Sequence, residues 1–203
     1  FLGKEMGDQH NVGLNADGRL DLNAGGTVSG GLAGAYARII QPQVLSDPNF
    51  AFTRNDIRIG PDITFRPGGG NLDLNIGYQF QASLYEESNA VGFSSLGHQF
   101  SFRDRWKFRP RTALFSEAQL TFLNYPNAPR AVFLLNDSTP LRTRGGVTGL
   151  ITDWFGATIA GGYSATLFQN TAVSQYDRFN AQAAAGFFLS QGNTPDLPGD
   201  ATL

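Results

Sequence analysis

The sequence has 203 residues and contains no cysteine. It therefore has no disulfide framework, no thiolate metal site and no cysteine nucleophile. Charged residues make up only 16% of the chain, whereas a typical soluble domain carries about 25%. The formal net charge is −2 and the 15 basic residues never form a dense run, so nucleic acid is not expected as a partner.

Long hydrophobic runs are also missing. The longest span about five residues, as in 131–135, whereas a transmembrane helix needs roughly 20 apolar residues. Aromatic residues nevertheless reach 12%, with 17 Phe and 25 Gly. Many aromatics and little charge, without long apolar runs, are typical of a membrane β-barrel, because only every second residue of each strand meets lipid.

The clearest pattern is an alternation of apolar and polar residues over 71–86. Period two over this length indicates a strand, and it favours a membrane-spanning one. Strands of soluble proteins average about 5–6 residues, whereas tilted membrane strands need about 9–11. Similar segments occupy 56–66, 98–109, 112–124, 141–151, 155–168 and 178–190, with two less regular, Gly-rich ones at 11–23 and 27–40.

These nine segments predict an all-β fold: an antiparallel up-and-down transmembrane β-barrel with about 8–12 strands. The whole of 1–203 is expected to form one domain, with 1–10 and 191–203 as loops or terminal segments. An open sheet edge in lipid costs several kcal/mol per unpaired group, so the sheet must close. Bacterial single-chain barrels have even strand numbers. Either one strand is missed in 1–10 or 191–203, or the chain is part of a larger barrel.

The predicted connections alternate between short turns and longer loops, which in outer-membrane barrels face the periplasm and the exterior respectively. Aromatic residues flank both sets, as expected of two belts at the membrane interfaces. Beside the short turns are Phe65, Trp106, Phe108, Trp154, Phe155 and Phe187; near the long loops are Tyr85, Phe100, Phe122, Tyr125, Phe168 and Phe179.

The charged residues of the strands share the polar parity and are predicted to line the lumen. One hypothesis is a pore lining that attracts anions or contacts sugars. The other is a salt-bridge network that fills a narrow barrel, which is expected for so short a chain. The predicted lumen-lining residues are Arg58, Asp62, Arg66, Asp73, Arg103, Arg105, Lys107, Glu117, Arg142, Arg144 and Arg178.

Two features depart from the alternation. Asp104 has lipid-facing parity, which is explained by a position near the periplasmic boundary, by a local bulge, or by contact with a partner. The other feature is an apolar run inside a predicted long loop, which either folds over the barrel mouth or marks a partner contact. It comprises Ala131, Val132, Phe133, Leu134 and Leu135.

Catalysis has little support in the sequence. The two histidines, His10 and His98, are expected to be polar residues at loop ends, although His98 has Ser94 and Ser95 nearby. No metal-ligand spacing or phosphate-binding loop is present. The chain is therefore expected to be no enzyme and to hold no cofactor and no metal.

Two stretches carry a resemblance to known proteins: FRPRTALFSEAQLTFLNY at 108–125 and LRTRGGVTGLITDWFGATIAGGYSATLF at 141–168. They resemble outer-membrane β-barrel porins of Gram-negative bacteria, some of which belong to exopolysaccharide-export clusters. They are also similar to barrels of envelope-spanning machines in gliding bacteria. The resemblance covers roughly 55–190 and implies a location in the outer membrane.

Three functions remain open from the sequence. The preferred one is a scaffolding component of an envelope-spanning assembly, with its lumen filled by side chains. The alternative is a porin-like channel for small solutes or exported polysaccharide. The third is a soluble β-sandwich used for binding, which would have to bury its aromatic residues in an internal core. The expected partners are outer-membrane lipid and other envelope proteins.

Overall fold

The protein is a single curved β-sheet. The structure, a computed structural model, describes residues 13–41, 52–88, 90–128, 136–152, 154–168 and 174–187. The strands are β1 (Leu14–Leu22), β2 (Val28–Gln41), β3 (Phe52–Phe65), β4 (Leu72–Tyr85), β5 (Ser95–Arg109), β6 (Thr112–Asn124), β7 (Ser138–Thr152), β8 (Phe155–Phe168) and β9 (Tyr176–Phe187).

The nine strands pair in sequence order, and every pair is antiparallel. This confirms the predicted up-and-down sheet. Several strands are longer than predicted at the end where the long connections lie; β3, for example, begins at Phe52 and not at residue 56. Polar residues such as Thr53 and Asn55 interrupt the hydrophobic alternation there, although their backbone still pairs with the neighbouring strand.

One short element lies outside the sheet. A three-residue 3-10 helix, η1 (Val91–Phe93), sits in the connection between β4 and β5. In the part of the chain that the structure describes, no helix combines the length and the apolar character needed to cross a membrane.

The strand register divides the sheet into two chemically distinct faces. Residues directly opposite each other share a face, so Ile59 and Phe80 lie on one side while Arg58 and Gln81 lie on the other. The first side is called the apolar face and the second the polar face. The same alternation continues across the sheet, with Val147 opposite Ile159 on the apolar face and Arg142 opposite Ser164 on the polar face.

The large hydrophobic residues are not buried in a core. Among the described residues, the buried hydrophobic ones are all alanines, while Ile159 is 67% exposed and Phe179 is 79% exposed. A soluble sandwich would bury such side chains between two sheets. The described strands form one layer, so the prediction of a β-sandwich core is not met. The exposed apolar face suits a hydrocarbon solvent.

Glycines show which way the sheet curves. A Cβ atom added at Gly60, Gly146 or Gly162 on the polar face would run into a backbone carbonyl of the adjacent strand. On the apolar face, a Cβ at Gly34 or Gly161 would lie 3.8 Å and 4.0 Å from its nearest backbone neighbour. Gly149 on the apolar face is an exception beside the short turn, because its Cβ would meet the Arg111 carbonyl. At the other positions adjacent backbones converge on the polar side, and the sheet curves toward its polar face.

The two outer strands have free edges among the described residues, because β1 pairs only with β2 and β9 only with β8. In an up-and-down sheet with nine strands, β1 and β9 run in the same direction. A wholly antiparallel closure of this sheet therefore requires an odd number of additional strands between them.

Gly60→Ala is expected to destabilise the folded protein, because the added methyl group meets the Tyr78 carbonyl where the β3–β4 ladder skips Gly60 and Pro61. The cost should be about 1–3 kcal/mol. Gly34→Ala is the matched control, since its methyl group has room on the apolar face. Urea unfolding of both variants in detergent measures the difference, and equal midpoints would contradict the deduced curvature.

Tyr163→Asp is expected to block insertion into lipid bilayers. Tyr163 packs against Phe179 on the apolar face, with ring centroids 4.9 Å apart, so the substitution places a charge in the hydrocarbon at a cost of roughly 2 kcal/mol. Ser164→Asp, one residue along on the polar face, should insert normally. Gel mobility of unheated samples after refolding into liposomes reports assembly, and normal assembly of the Tyr163 variant would refute the face assignment.

Candidate functional site

An arginine-rich groove lies on the polar face across β4 to β9. It encloses a cavity of about 400 Å³. Six strands contribute to one concave surface because the sheet curves toward this side. Its polar lining combines charged, amide and hydroxyl side chains: Asn75, Gln99, Ser101, Arg103, Glu117, Gln119, Arg142, Thr143, Arg144, Ser164 and Asn180.

A three-residue ion network crosses the middle of the groove. Glu117 lies directly between Arg103 and Arg144 in the register of β5, β6 and β7. Its carboxylate is 3.2 Å from Arg144 Nη2 and 3.8 Å from Arg103 Nε. The Arg144 guanidinium also lies over the Phe115 ring, 5.4 Å from its centroid. One carboxylate for two guanidinium groups leaves this network with a net positive charge.

Two further arginines flank the same groove. Arg142 and Arg178 both lie opposite Ser164, on the strands that adjoin β8. Neither forms an ion pair with any acidic residue that the structure describes. Within the described part of the chain, no carboxylate balances their charges, which leaves them able to attract an anion.

On β1 to β3, by contrast, the polar face carries acidic as well as basic residues, and their charges offset one another. Arg19 on β1 reaches across β2 to Asp62 on β3, with Nη1 2.9 Å from Oδ1, and its Nε contacts Asp21 at 2.7 Å. Gly31, which lies opposite both Asp21 and Asp62 in the register, leaves the space through which the Arg19 side chain passes. At the short-turn end, Arg66 Nε lies 3.3 Å from Asp73.

All the charged residues predicted to line the lumen have their side chains on the polar face. The groove brings together Arg103, Glu117, Arg142 and Arg144, whereas Arg58 and Asp62 lie on β3. On β5 to β9 this face carries one acidic residue, Glu117, among six basic ones: Arg103, Arg105, Lys107, Arg142, Arg144 and Arg178. The polar face thus has a basic region and a balanced region.

The aromatic residues beside the short turns lie together at that end of the sheet. Phe155 and Phe187 are 5.0 Å apart between ring centroids, and the Trp154 ring stacks on Phe187 at 5.9 Å. Trp106 and Phe108 form a second pair at 5.9 Å. Phe65 lies on the apolar face in the last position of β3.

The predicted aromatic belt at the long-loop end is only partly correct. Phe100 and Phe122 lie on the apolar face and meet edge to face at 6.2 Å. Tyr85 and Phe168 do not join them, because Tyr85 lies opposite Arg54 and Phe168 lies opposite Ser138 on the polar face. The prediction considered only the position of each aromatic residue along its strand, and it did not consider that successive side chains alternate between the two faces.

The correction at Tyr85 reveals a group of residues that the sequence did not single out. The loop-end cluster consists of Phe52, Arg54, Asp56, Tyr85 and Phe93, with Tyr85 as the common neighbour. Its ring centroid lies 5.4 Å from Phe52 and 6.1 Å from Phe93. Extending the alternation of β3 back from residue 57 would have placed Arg54 and Asp56 on the polar face.

Glu87 pins the loop that carries Phe93. Both oxygens of its carboxylate accept the Thr53 backbone N–H at 2.7 Å. Burial works to raise the pKa of Glu87, but hydrogen bonds from the backbone of Thr53 and Glu87 outweigh it, so the pKa lies below its ordinary value. Beyond β6, burial raises the pKa of Tyr125, and nearby Tyr85 and Asp137 add to the effect.

His98 is not the loop-end residue that the sequence suggested. It lies inside β5 on the apolar face, with Nδ1 2.7 Å from the Tyr78 hydroxyl and its ring 5.5 Å from Phe80. Ser95 lies on the opposite face, and the Ser94 hydroxyl accepts the backbone N–H of Tyr85. These positions do not join His98 to either serine.

Asp104 lies on the apolar face, as its parity predicted, and accepts a hydrogen bond from the Ser116 hydroxyl. The register shift of β5 occurs between Lys107 and Arg109 and does not include Asp104.

His10 and the apolar run of Ala131, Val132, Phe133, Leu134 and Leu135 lie outside the described residues. The described residues contain no group of three or more His, Asp or Glu side chains that could hold a metal ion.

Acidification is expected to loosen the loop at 86–94. Because the pKa of Glu87 is lowered in the folded state, its stabilising contribution is complete above its unfolded pKa, about 4.3, and is lost as pH falls through the folded value. The protection factors of this loop in amide hydrogen exchange, which are corrected for the intrinsic pH dependence of exchange, measure the change between about pH 6 and pH 3. Glu87→Gln should remove the pH dependence while Glu117→Gln should keep it; identical profiles for wild type and Glu87→Gln would disprove the anchor.

Comparison with known proteins agrees on the fold. No protein-family model matches the chain, and no curated protein matches it. Two solved structures are similar: outer-membrane expressed OmpT of Vibrio cholerae, with a TM-score of 0.63, and an in-vitro folded, trimeric form of OmpT from the same organism, with a TM-score of 0.61. Each is 12% identical to this chain and is matched over 87% of it. This chain spans 56% of the length of each of those two chains. It has the fold of an outer-membrane β-barrel.

Proposed function

We propose that this chain forms part of the wall of an outer-membrane channel whose polar face lines a passage that prefers small anionic solutes. The observation that carries the proposal is the pair Arg142 and Arg178, two guanidinium groups that have no carboxylate partner among the described residues and lie beside a groove of about 400 Å³. In a pore lining, rings of basic side chains favour anions over cations.

The size of the polar-face residues supports a passage more than a filled lumen. On β2 this face carries Gly31, Ala33, Ala35 and Ala37, and on β8 it carries Ala160 and Gly162. A barrel that is filled by side chains needs bulky residues that interdigitate across the lumen. Small residues on these two strands leave space in front of the charged strands beside them.

The uneven charge of the polar face supports the preference for anions. The basic region lies on β5 to β9, whereas the polar face of β1 to β3 carries four acidic residues, Asp17, Asp21, Asp56 and Asp62, against three basic ones, Arg19, Arg54 and Arg58. Low-dielectric walls focus the field of uncompensated charges into the space that they enclose. An anion entering this space meets a positive potential from one side of the lumen.

The proposal includes an orientation in the outer membrane. Long connections follow β2, β4, β6 and β8, while short turns follow β1, β3, β5 and β7. Long loops face the exterior and short turns face the periplasm in barrels of this class. The cluster of Trp154, Phe155 and Phe187 then lies at the periplasmic interface, where aromatic rings are favoured.

A scaffolding role in an envelope assembly is the second candidate, and one observation favours it. Asp104 places a carboxylate on the apolar face, where the Ser116 hydroxyl is its one hydrogen-bond partner among the described residues. A charge on the lipid-facing side costs free energy, and a neighbouring membrane protein that donates hydrogen bonds would lower that cost. We propose no catalytic role, because His98 and Ser95 lie on opposite faces.

Single-channel recordings of the full-length protein in planar bilayers test the channel. Steady conductance is expected, with chloride more permeant than potassium. Arg142→Glu combined with Arg178→Glu should lower the chloride-to-potassium permeability ratio several-fold, because it replaces two positive charges on the groove with negative ones. Arg109→Glu alters the charge at the end of β5, outside the groove, and should leave the ratio nearly unchanged.

Two results would contradict the channel. One is a correctly folded protein that produces no conductance steps above the baseline, which would favour the filled scaffold. The other is steady conductance whose ion selectivity is the same in wild type and in the double variant, which would show that Arg142 and Arg178 do not face the conducting path.

A further inference from the structure

The loop-end cluster contains an aromatic residue that the fold holds in an exposed position. Phe93 is 49% exposed, although it belongs to a well-anchored loop. Ser94, the next residue, is 2% exposed, and its hydroxyl accepts the Tyr85 backbone N–H at 3.1 Å. Together with the Glu87 contacts to Thr53, this fixes η1 against β3 and β4. The Phe93 ring is therefore presented on a preformed surface.

A neutral hydrogen-bonding pair adjoins these rings. Arg54 Nη2 lies 2.9 Å from Asp56 Oδ2, and Ser83 donates to the other oxygen of Asp56 at 2.7 Å. Arg54 lies directly opposite Tyr85 in the register of β3 and β4. The pair offers donors and acceptors side by side without net charge.

We propose that the loop-end cluster is a binding site for a neutral sugar ring of an oligosaccharide. The negative face of an aromatic ring attracts the polarised C–H groups on one side of a pyranose. Phe93 and Tyr85 supply such faces, while Arg54 and Asp56 are suited to neighbouring hydroxyl groups, which both donate and accept. Few other uncharged solutes combine an apolar face with a rim of hydroxyls.

Charge separates this site from the arginine groove. The groove carries a net positive charge, whereas the Arg54–Asp56 pair is neutral, and the Glu87 carboxylate accepts the backbone N–H of Thr53, the residue before Arg54. An anion is therefore not favoured at the loop-end cluster. Between the two sites, Gln81 donates to Gln79 at 2.9 Å and to Gln99 at 2.7 Å, so amide groups continue along the polar face. Gln99 also lines the groove.

Isothermal titration calorimetry of the folded full-length protein in detergent tests the site, with maltohexaose as the probe. Saturable binding is expected, and hexaethylene glycol, which has ether oxygens but no ring face, should bind much more weakly. Phe93→Ala should weaken maltohexaose binding by roughly tenfold, because it removes the stacking surface. Phe93→Trp, which keeps and enlarges that surface, should bind at least as well as wild type.

Phe100→Ala is the matched control. Phe100 is also 49% exposed but lies on the apolar face, so its loss should leave maltohexaose affinity within about twofold. Asp56→Asn tests the polar half of the site and should weaken binding several-fold. Absence of binding to the folded protein, equal affinity for hexaethylene glycol, or a Phe93→Ala affinity equal to that of wild type would each overturn the proposal.

Calorimetry does not depend on ion conduction, so this proposal and the proposed channel fail separately. A protein that conducts chloride selectively but binds no maltohexaose would refute only the sugar site. A protein that binds maltohexaose through Phe93 but never conducts would refute only the channel.

Discussion

Backbone hydrogen bonding between neighbouring strands is the constraint on which the rest of the structure depends. Hydrocarbon offers no donors or acceptors, so every backbone group at that depth must pair within the protein. In the described part of the chain, nine strands of nine to 15 residues meet this demand along most of their length, while the two outer edges are unpaired and the β3–β4 ladder skips Gly60 and Pro61. Once the ladders are fixed, each side chain has only two directions available, and the chemistry of the molecule follows from which direction it takes.

The alternation of residues allowed much of the fold to be predicted. Each of the nine predicted segments forms a strand, because alternation of apolar and polar residues with period two is a strand signal. The ends of the strands were less predictable. Thr53 and Asn55 pair with the neighbouring strand through their backbone, but their polar side chains do not indicate on which face of the sheet they lie. Tyr85 was assigned to the wrong face for a related reason. Its distance from the loop determines its position along the strand, but not the face of the sheet on which its side chain lies. The three-dimensional cluster around Tyr85 depends on the loop that returns Phe93 to it, and no sequence periodicity encodes that contact.

The curvature explains why small and charged residues alternate across the polar face. Where adjacent backbones converge, as at Gly60 and Gly146, a side chain would collide with the next strand, so glycine is required. Where glycine or alanine occupies a whole stretch, as on β2, a long side chain such as Arg19 can cross to a partner two strands away. The small volume of such residues also leaves the groove in front of Arg142 and Arg144 unfilled. The small residues of the polar face therefore account both for the bending of the sheet and for the open space on this face.

We expect the apolar face of the sheet to touch lipid and the polar face to stay out of contact with it. Because the chain has no cysteine, single cysteines along 156–167 of β8 can be spin-labelled one at a time without background. In liposomes, collision rates with oxygen, which concentrates in hydrocarbon, should peak at Ala157, Ile159 and Tyr163. Collision rates with a water-soluble nickel complex should peak at Thr158, Ala160 and Ser164. A period of two with opposite phases for the two reagents is the expected result, and equal oxygen accessibility on both sides of β8 would contradict the account.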